Sequence, residues 1–214
     1  MLVRERMTQT PVTTTPDTSV TEALRLMREK KVRRLPVIDH KGRLAGIVSD
    51  KDLLYASPSP ATSLSVWEMN YLLSRLKVEE VMTRKVITVS EDTPLEEAAR
   101  IMADNKIGGL PVMRDDRLVG IVTETDLFKI FIELLGARQP GVRVTALIPS
   151  AKGTLAKITS AIFGVGGDIV AFGQSMDASG TRWEVTLKVQ DVSRDKLIEA
   201  LKPVVDRILD VREI

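Results

Sequence analysis

The alternation of apolar and polar positions follows one rhythm through the first two thirds of the chain and uses it twice. Val20, Ala23, Leu24 and Met27 fall at i, i+3, i+4 and i+7, which predicts a helix with one buried face, and Asp17 precedes it as a helix-start residue. Two short apolar runs, 35–38 and 44–48, flank the polar turn DHKG and predict a hairpin, and a second helix starts near Asp50. The same order returns with Asp92, then Leu95, Ala98, Ala99 and Met102, then the runs 110–113 and 118–122 around RDD, and then a helix near Glu124.

The match extends to single residues. Met7-Thr8 aligns with Met82-Thr83, Lys31 with Lys106, Leu35-Pro36-Val37 with Leu110-Pro111-Val112, and Gly46-Ile47-Val48 with Gly120-Ile121-Val122. The period is far longer than a solenoid repeat, so this is a duplicated β-α-β-β-α module. One copy buries little by itself, whereas two packed together form a proper core. The fold class is therefore α+β. The copies are expected at 1–56 and 78–135, with a linker at 57–77. Within that linker, Ser65 is placed to cap a helix from 66 to about 76. Its stripe is Val66, Met69, Leu72, Leu73 and Leu76, flanked by Trp67 and Tyr71 for internal packing or a dimer contact.

After a short linker, 136–140, the rhythm changes. Residues 141–214 read β-α-β-β-α-β, a ferredoxin-like plan. The strand at 142–148 leads through PSAKG to a helix from Thr154 that GVGGD ends with a glycine cap. Trp183, Val185, Leu187 and Val189 alternate strictly with Glu184, Thr186 and Lys188, which predicts a strand over 182–189. Ser193 is expected to cap the last helix.

Composition narrows the chemistry. Apolar residues make up 43% and aromatics 4%, so the cores rest on aliphatic side chains. A net charge of +2 gives no polybasic signal for nucleic acid. There are no cysteines, which removes disulfides, thiol nucleophiles and thiolate metal sites; no metal site is expected. The one histidine, His40, lies in a predicted turn, which disfavours a catalytic triad. The first residues carry no apolar leader segment and no run approaches a membrane span, so the cytoplasm is the expected compartment.

Two hydroxyl–carboxylate pairs stand out: Ser49 with Asp52, and Thr123 with Asp126. Each sits where a strand enters a helix, and free N–H groups there favour anions. The hydroxyl can donate to a phosphate and the carboxylate can accept from a ribose diol. Equally, both pairs suit plain helix capping. Pro36 and Pro111 keep the preceding backbone extended, which suits an apolar slot for a flat base.

The segments LPV-turn-GIVSxxD and LPV-turn-GIVTxxD resemble the CBS domain, and two in tandem resemble a CBS pair. That resemblance implies an adenosine-containing ligand (AMP, ADP, ATP or S-adenosylmethionine) in the cleft between repeats. Ser49 and Thr123 would touch phosphate and Asp52 and Asp126 would hold ribose. Thr10, Pro11, Val12, Lys85, Val86 and Ile87, with Arg34, Leu35, Pro36, Gly109, Leu110 and Pro111, would line the pocket. Because Arg33-Arg34 precede the first LPV and Gly108-Gly109 the second, the sites should be unequal, the one using Arg34 preferring the more highly charged nucleotide. Residues 141–214 resemble an ACT domain, which implies an amino-acid site at Ser150, Gly153, Thr154, Leu155, Asp168 and Ile169. The order CBS–CBS–ACT is similar to acetoin utilisation proteins of the AcuB type. It implies a non-enzymatic, homodimeric regulator without a catalytic cofactor, acting with a protein partner in acetoin or acetyl-CoA metabolism. A scaffold with empty sites, or the regulatory subunit of a metabolic enzyme, are the alternatives.

Overall fold

A computed structural model describes residues 1–56 and 75–214. The predicted helix at 66–76, with its Ser65 cap and its Trp67–Tyr71 pair, lies outside the described residues except for its last two positions. The chain forms two compact units, Met1–Leu127 and Phe128–Ile214.

The first unit opens with a 3-10 turn, Val3–Glu5, and then runs β1 (Thr8–Gln9), α1 (Val20–Lys30), β2 (Arg34–Ile38), β3 (Leu44–Ser49), α2 (Asp50–Tyr55), α3 (Val78–Val81), β4 (Val89–Ser90), α4 (Leu95–Asn105), β5 (Gly109–Arg114), β6 (Arg117–Thr123) and the start of α5 (Glu124–Leu134). The duplicated helices bury the predicted stripe: Val20, Ala23 and Met27 in α1, Leu95, Ala98 and Met102 in α4. Both end on a lysine in the left-handed region, Lys31 and Lys106, each at φ 54°. Ser19 caps α1 by accepting a hydrogen bond from the Glu22 amide (3.2 Å), and Pro94 precedes α4. His40 is exposed in the β2–β3 turn, which Asp39 organises by accepting from the amides of Lys41 and Arg43 at 2.9 Å each.

The repeats exchange chain. β1 of the first repeat pairs with β6 of the second at Thr8↔Ile121, and Thr83 of the second bridges Ile47 of the first. The equivalent parallel contacts are Val89↔Val112 and Thr14↔Val37. In the second repeat these pairings extend to a sheet of order β1-β6-β5-β4; in the first they shrink to single bridges around the β2–β3 hairpin. The glycines of the two GIV motifs make the exchange sterically feasible. A Cβ on Gly46 would lie 2.5 Å from the Met82 sulfur and 3.0 Å from the Thr83 carbonyl oxygen; on Gly120 it would lie 2.4 Å from the Met7 sulfur. Gly46→Ala should therefore cost about 1–3 kcal/mol by overpacking. Urea unfolding checks this; an unchanged midpoint would show that Met82 moves aside freely.

The second unit contains the end of α5, then β7 (Val142–Ile148), α6 (Thr154–Gly164), β8 (Asp168–Met176), β9 (Trp183–Gln190), α7 (Arg194–Leu201) and β10 (Arg207–Glu213). Its sheet is antiparallel throughout with order β10-β7-β9-β8, the ferredoxin-like arrangement. Val142, Val144, Ala146 and Ile148 share a core with Val185, Leu187 and Val189, under Ile158 and Ile162 of α6 and Leu197 and Leu201 of α7. GVGGD behaves as a helix stop: Gly166 adopts φ +79°, and the Gly167 amide donates to the Ile162 carbonyl at 3.0 Å. One detail departs from expectation: Ser193 stands at the N-cap of α7 without a side-chain capping bond. Lys188, in the middle of β9, is buried at 3% exposure.

Candidate functional site

The two hydroxyl–carboxylate pairs form where β3 meets α2 and where β6 meets α5. Ser49 is extended, at φ −105° and ψ 164°, which turns its side chain over the first amides of α2. The Asp52 amide donates to Ser49 Oγ (3.2 Å), while Ser49 donates to Asp52 Oδ2 from its own amide (2.8 Å) and from its hydroxyl (2.7 Å). In the second repeat Thr123 donates to Asp126 Oδ2 from its amide (3.0 Å) and its hydroxyl (2.8 Å). Ser49 thus caps α2 outright, and the second copy repeats the bonds from the hydroxyl residue to the carboxylate. The cap in the first copy uses one carboxylate oxygen of Asp52, Oδ2; Oδ1 takes part in none of these bonds.

Ser49 and Asp52 nevertheless line a cavity of about 560 Å³ built from both repeats. This is an ordinary size for a small-molecule site. Its apolar wall is Ile47, Val86, Ile87 and Ile107, and Ile87 is 39% exposed. Its polar wall holds Arg33, Arg34, Lys51, Lys85 and Lys106 against Asp50, Asp52 and Glu124. Arg33, Lys51, Lys85 and Lys106 have no ion pair among the described residues. A cavity with an apolar strip, a carboxylate held at a helix start and surplus positive charge suits a ligand that combines a flat ring, a diol and an anionic tail.

Of the residues singled out in the sequence, Arg34, Ser49, Asp52, Lys85, Val86, Ile87 and Gly109 meet in this cavity. Leu35 and Leu110 are completely buried core residues, Pro36 and Pro111 are buried beside them, and none of the four lines the cavity. Val12 packs on the first repeat's core, and Pro11 is half-buried. Thr123 and Asp126 do not line this cavity. Thr10 lies elsewhere, in a cavity of about 470 Å³ with Arg4, Glu91 and Arg114, and holds a left-handed φ of 50°. The cations of that second cavity are already neutralised. Arg4 pairs with Asp92, and Arg114 Nη2 donates to Glu91 at 2.7 Å, holding the Glu91 carboxyl below its ordinary range.

The sequence reading did not place Ile47, Lys51, Tyr55, Thr83, Lys106, Ile107 or Glu124 at the site. The internal alignment could have found several of them: Ile47 and Thr83 are the bridge between repeats, and Lys106 and Ile107 precede the second LPV as Lys31 and Val32 precede the first.

In the second unit a cavity of about 420 Å³ lies at the β7–α6 turn, lined in part by Ser150, Gly153, Thr154, Leu155, Gln174 and Trp183. Gly153 takes φ +83° with nothing within 4 Å of a Cβ, and Thr154 Oγ1 donates back to the Ala151 carbonyl at 2.9 Å. Asp168 and Ile169 do not line it. Among the described residues, no acidic or histidine cluster could hold a metal ion, and no helix is long and apolar enough to cross a membrane.

Comparison with known proteins supplies the family. A solved structure from Vibrio cholerae, described as a "putative acetoin utilization protein (AcuB)", is 34% identical, covers 65% of this chain and 96% of its own, and superimposes with a TM-score of 0.54. The CBS domain pair of protein MJ0100, solved with 5′-methylthioadenosine and S-adenosyl-L-methionine, is 31% identical over 65% of this chain and 98% of its own, with a TM-score of 0.52. CBSX2, solved in complex with AMP, is 36% identical over 61% of this chain and 96% of its own, with a TM-score of 0.51. The family model for the CBS domain matches residues 3–59 and 78–133, over half of the chain, and with the duplicated, chain-exchanged architecture this places the protein in the CBS domain family.

Proposed function

We propose that the protein is a non-enzymatic regulator whose CBS pair binds an adenosine-containing ligand in the cavity beside Ser49 and Asp52. The observation that carries this reading is the meeting, in one cavity, of Asp52 from the first repeat, Lys85, Val86 and Ile87 from the second, and more cations than carboxylates among the described residues. Asp52 accepts hydrogen bonds from the ribose hydroxyls, Ile47, Ile87 and Ile107 flank the base, and Arg33, Arg34, Lys51, Lys85 and Lys106 receive the anionic tail. Relatives solved with AMP, 5′-methylthioadenosine and S-adenosylmethionine support the ligand class.

Regulation requires the ligand to bind two conformations unequally, with couplings of about 1–3 kcal/mol. A cavity walled by two chain-exchanged repeats offers such an element, since closing it on a ligand moves one repeat against the other. The second unit reads as an ACT domain with its own ligand site at the β7–α6 turn, where Ser150, Gly153, Thr154 and Leu155 share a cavity. Likeness to a protein described as an acetoin utilization protein supports a role in that metabolism, and a cytoplasmic homodimer acting with a protein partner in acetoin or acetyl-CoA metabolism is part of the same proposal.

Calorimetry and thermal shift with AMP, ADP, ATP and S-adenosylmethionine test the proposal. A ligand at one hundred times its Kd should stabilise the protein by about 2.7 kcal/mol. No response to any of the four would leave the scaffold reading.

A further inference from the structure

One constellation in the cavity joins the repeats asymmetrically. Arg34, at the start of β2, reaches Glu124, at the start of α5: Nη2 and Oε2 are 4.0 Å apart, with side-chain exposures of 24% and 53%. Both groups rest on the same glycine. A Cβ on Gly108 would lie 1.9 Å from Arg34 Nη2 and 2.6 Å from Glu124 Oε2, and one on Gly109 would lie 3.2 Å from Arg34 Cδ. The glycine pair of the second repeat is therefore the seat of the first repeat's arginine. The duplication cannot reproduce this contact, because Arg33 and Arg34 stand where the second repeat has Gly108 and Gly109.

We propose that Glu124 is the charge selector of this cavity, an inference that rests on the nucleotide-binding reading above. Its carboxylate acts in two ways. It competes with the ligand for the Arg34 guanidinium, and it opposes each negative charge brought to the cationic wall while favouring positive charge. Both effects scale with ligand charge, so Glu124 sets the ranking of ligands rather than the overall affinity. A polyphosphate must displace the carboxylate from Arg34. A monophosphate meets less opposition. A sulfonium nucleoside gains from the carboxylate, which adds to Asp50 and Asp52 in offsetting the repulsion of the cationic wall. At 4.0 Å and half exposed, the Arg34–Glu124 contact is weak enough for a phosphate to replace it.

The test compares AMP, ATP and S-adenosylmethionine binding by calorimetry on the full chain and on Glu124→Gln, which keeps the size and shape of the side chain. The variant should bind ATP about tenfold tighter and AMP about threefold tighter, and S-adenosylmethionine about threefold weaker. Arg34→Gln, which removes the guanidinium and leaves Gly108 and Glu124 in place, should weaken ATP by about tenfold while changing S-adenosylmethionine little. Opposite signs for anionic and cationic ligands carry the proposal. If Glu124→Gln moves all three together, or moves none, Glu124 is not a selector although the nucleotide reading stands. If the unaltered protein binds none of the three, the nucleotide reading itself fails.

Discussion

Asp52→Asn should weaken adenine-nucleotide binding about 100-fold and leave the fold intact. The reasoning separates the two functions of one carboxylate. Oδ2 belongs to the helix: it receives the Ser49 amide and hydroxyl at 2.8 and 2.7 Å. The asparagine carbonyl can replace it there, so the cap survives and the cost in stability stays within about 1 kcal/mol. The other position changes from an acceptor to an NH2 donor. Ribose hydroxyls that would donate to a carboxylate then face another donor, and two charge-assisted bonds of about 1.5 kcal/mol each disappear, or about 3 kcal/mol in total. Asp126→Asn is the internal control. It alters the same cap in the second repeat, yet Asp126 does not line this cavity, so nucleotide affinity there should change less than threefold. Calorimetry on both variants decides the matter. Equal losses would show that binding depends on capping in general, and no loss at Asp52 would remove ribose from the cavity.

How far this site was legible in the sequence depends on the kind of signal each residue sends. Arg34 and the segment Lys85, Val86 and Ile87 are placed at the pocket through the resemblance to the CBS domain, whereas Ser49 and Asp52 lie at a strand–helix junction, which local pattern locates well. The apolar helix stripes and the strand alternation held for the same reason: Val20, Ala23 and Met27, and Val185, Leu187 and Val189, are buried as their spacing requires. Leu35 and Leu110 show the limit. Motif position put them at the pocket, but successive side chains of a strand face opposite sides, and theirs face the core. Thr123 and Asp126 show another. Repetition in sequence suggests repetition of sites, whereas β1–β6 pairing is a strand in one repeat and the matching Ile47–Thr83 contact is a single bridge in the other. Glu124 was invisible because its significance comes from Arg34, ninety residues earlier by chain and adjacent only after folding.

Lys188→Ala should lower the stability of the second unit by about 2–3 kcal/mol, a larger cost than any surface lysine would carry. Strand alternation assigns Lys188 to the face opposite Leu187 and Val189. The chain covers that face. Lys188 Nζ donates to the carbonyls of Gly136 and Gln139 at 2.8 Å each, and Gln190 Nε2 donates to the Pro140 carbonyl at 2.7 Å. Glycines allow the approach: Gly136 takes φ +57° with the Ala171 Cβ 3.0 Å from where its own would stand, and a Cβ on Gly141 would lie 2.7 Å from the Val189 carbonyl oxygen. The segment 136–140, which composition marks as a linker, is therefore strapped onto β9 by a buried ammonium. Removing the ammonium leaves the Gln139 carbonyl without that donor and opens a void along β9. Gly136 is partly protected, because its carbonyl also accepts from the Gln139 amide at 3.0 Å. Thermal unfolding of Lys188→Ala should show the second unit melting about 11–16 °C lower. Hydrogen exchange should accelerate at Gln139 and Gly141 while the core amides of β2 and β3 keep their protection. Unchanged melting and exchange would mean that the strap contributes nothing and that 136–140 behaves as the loop its composition suggests.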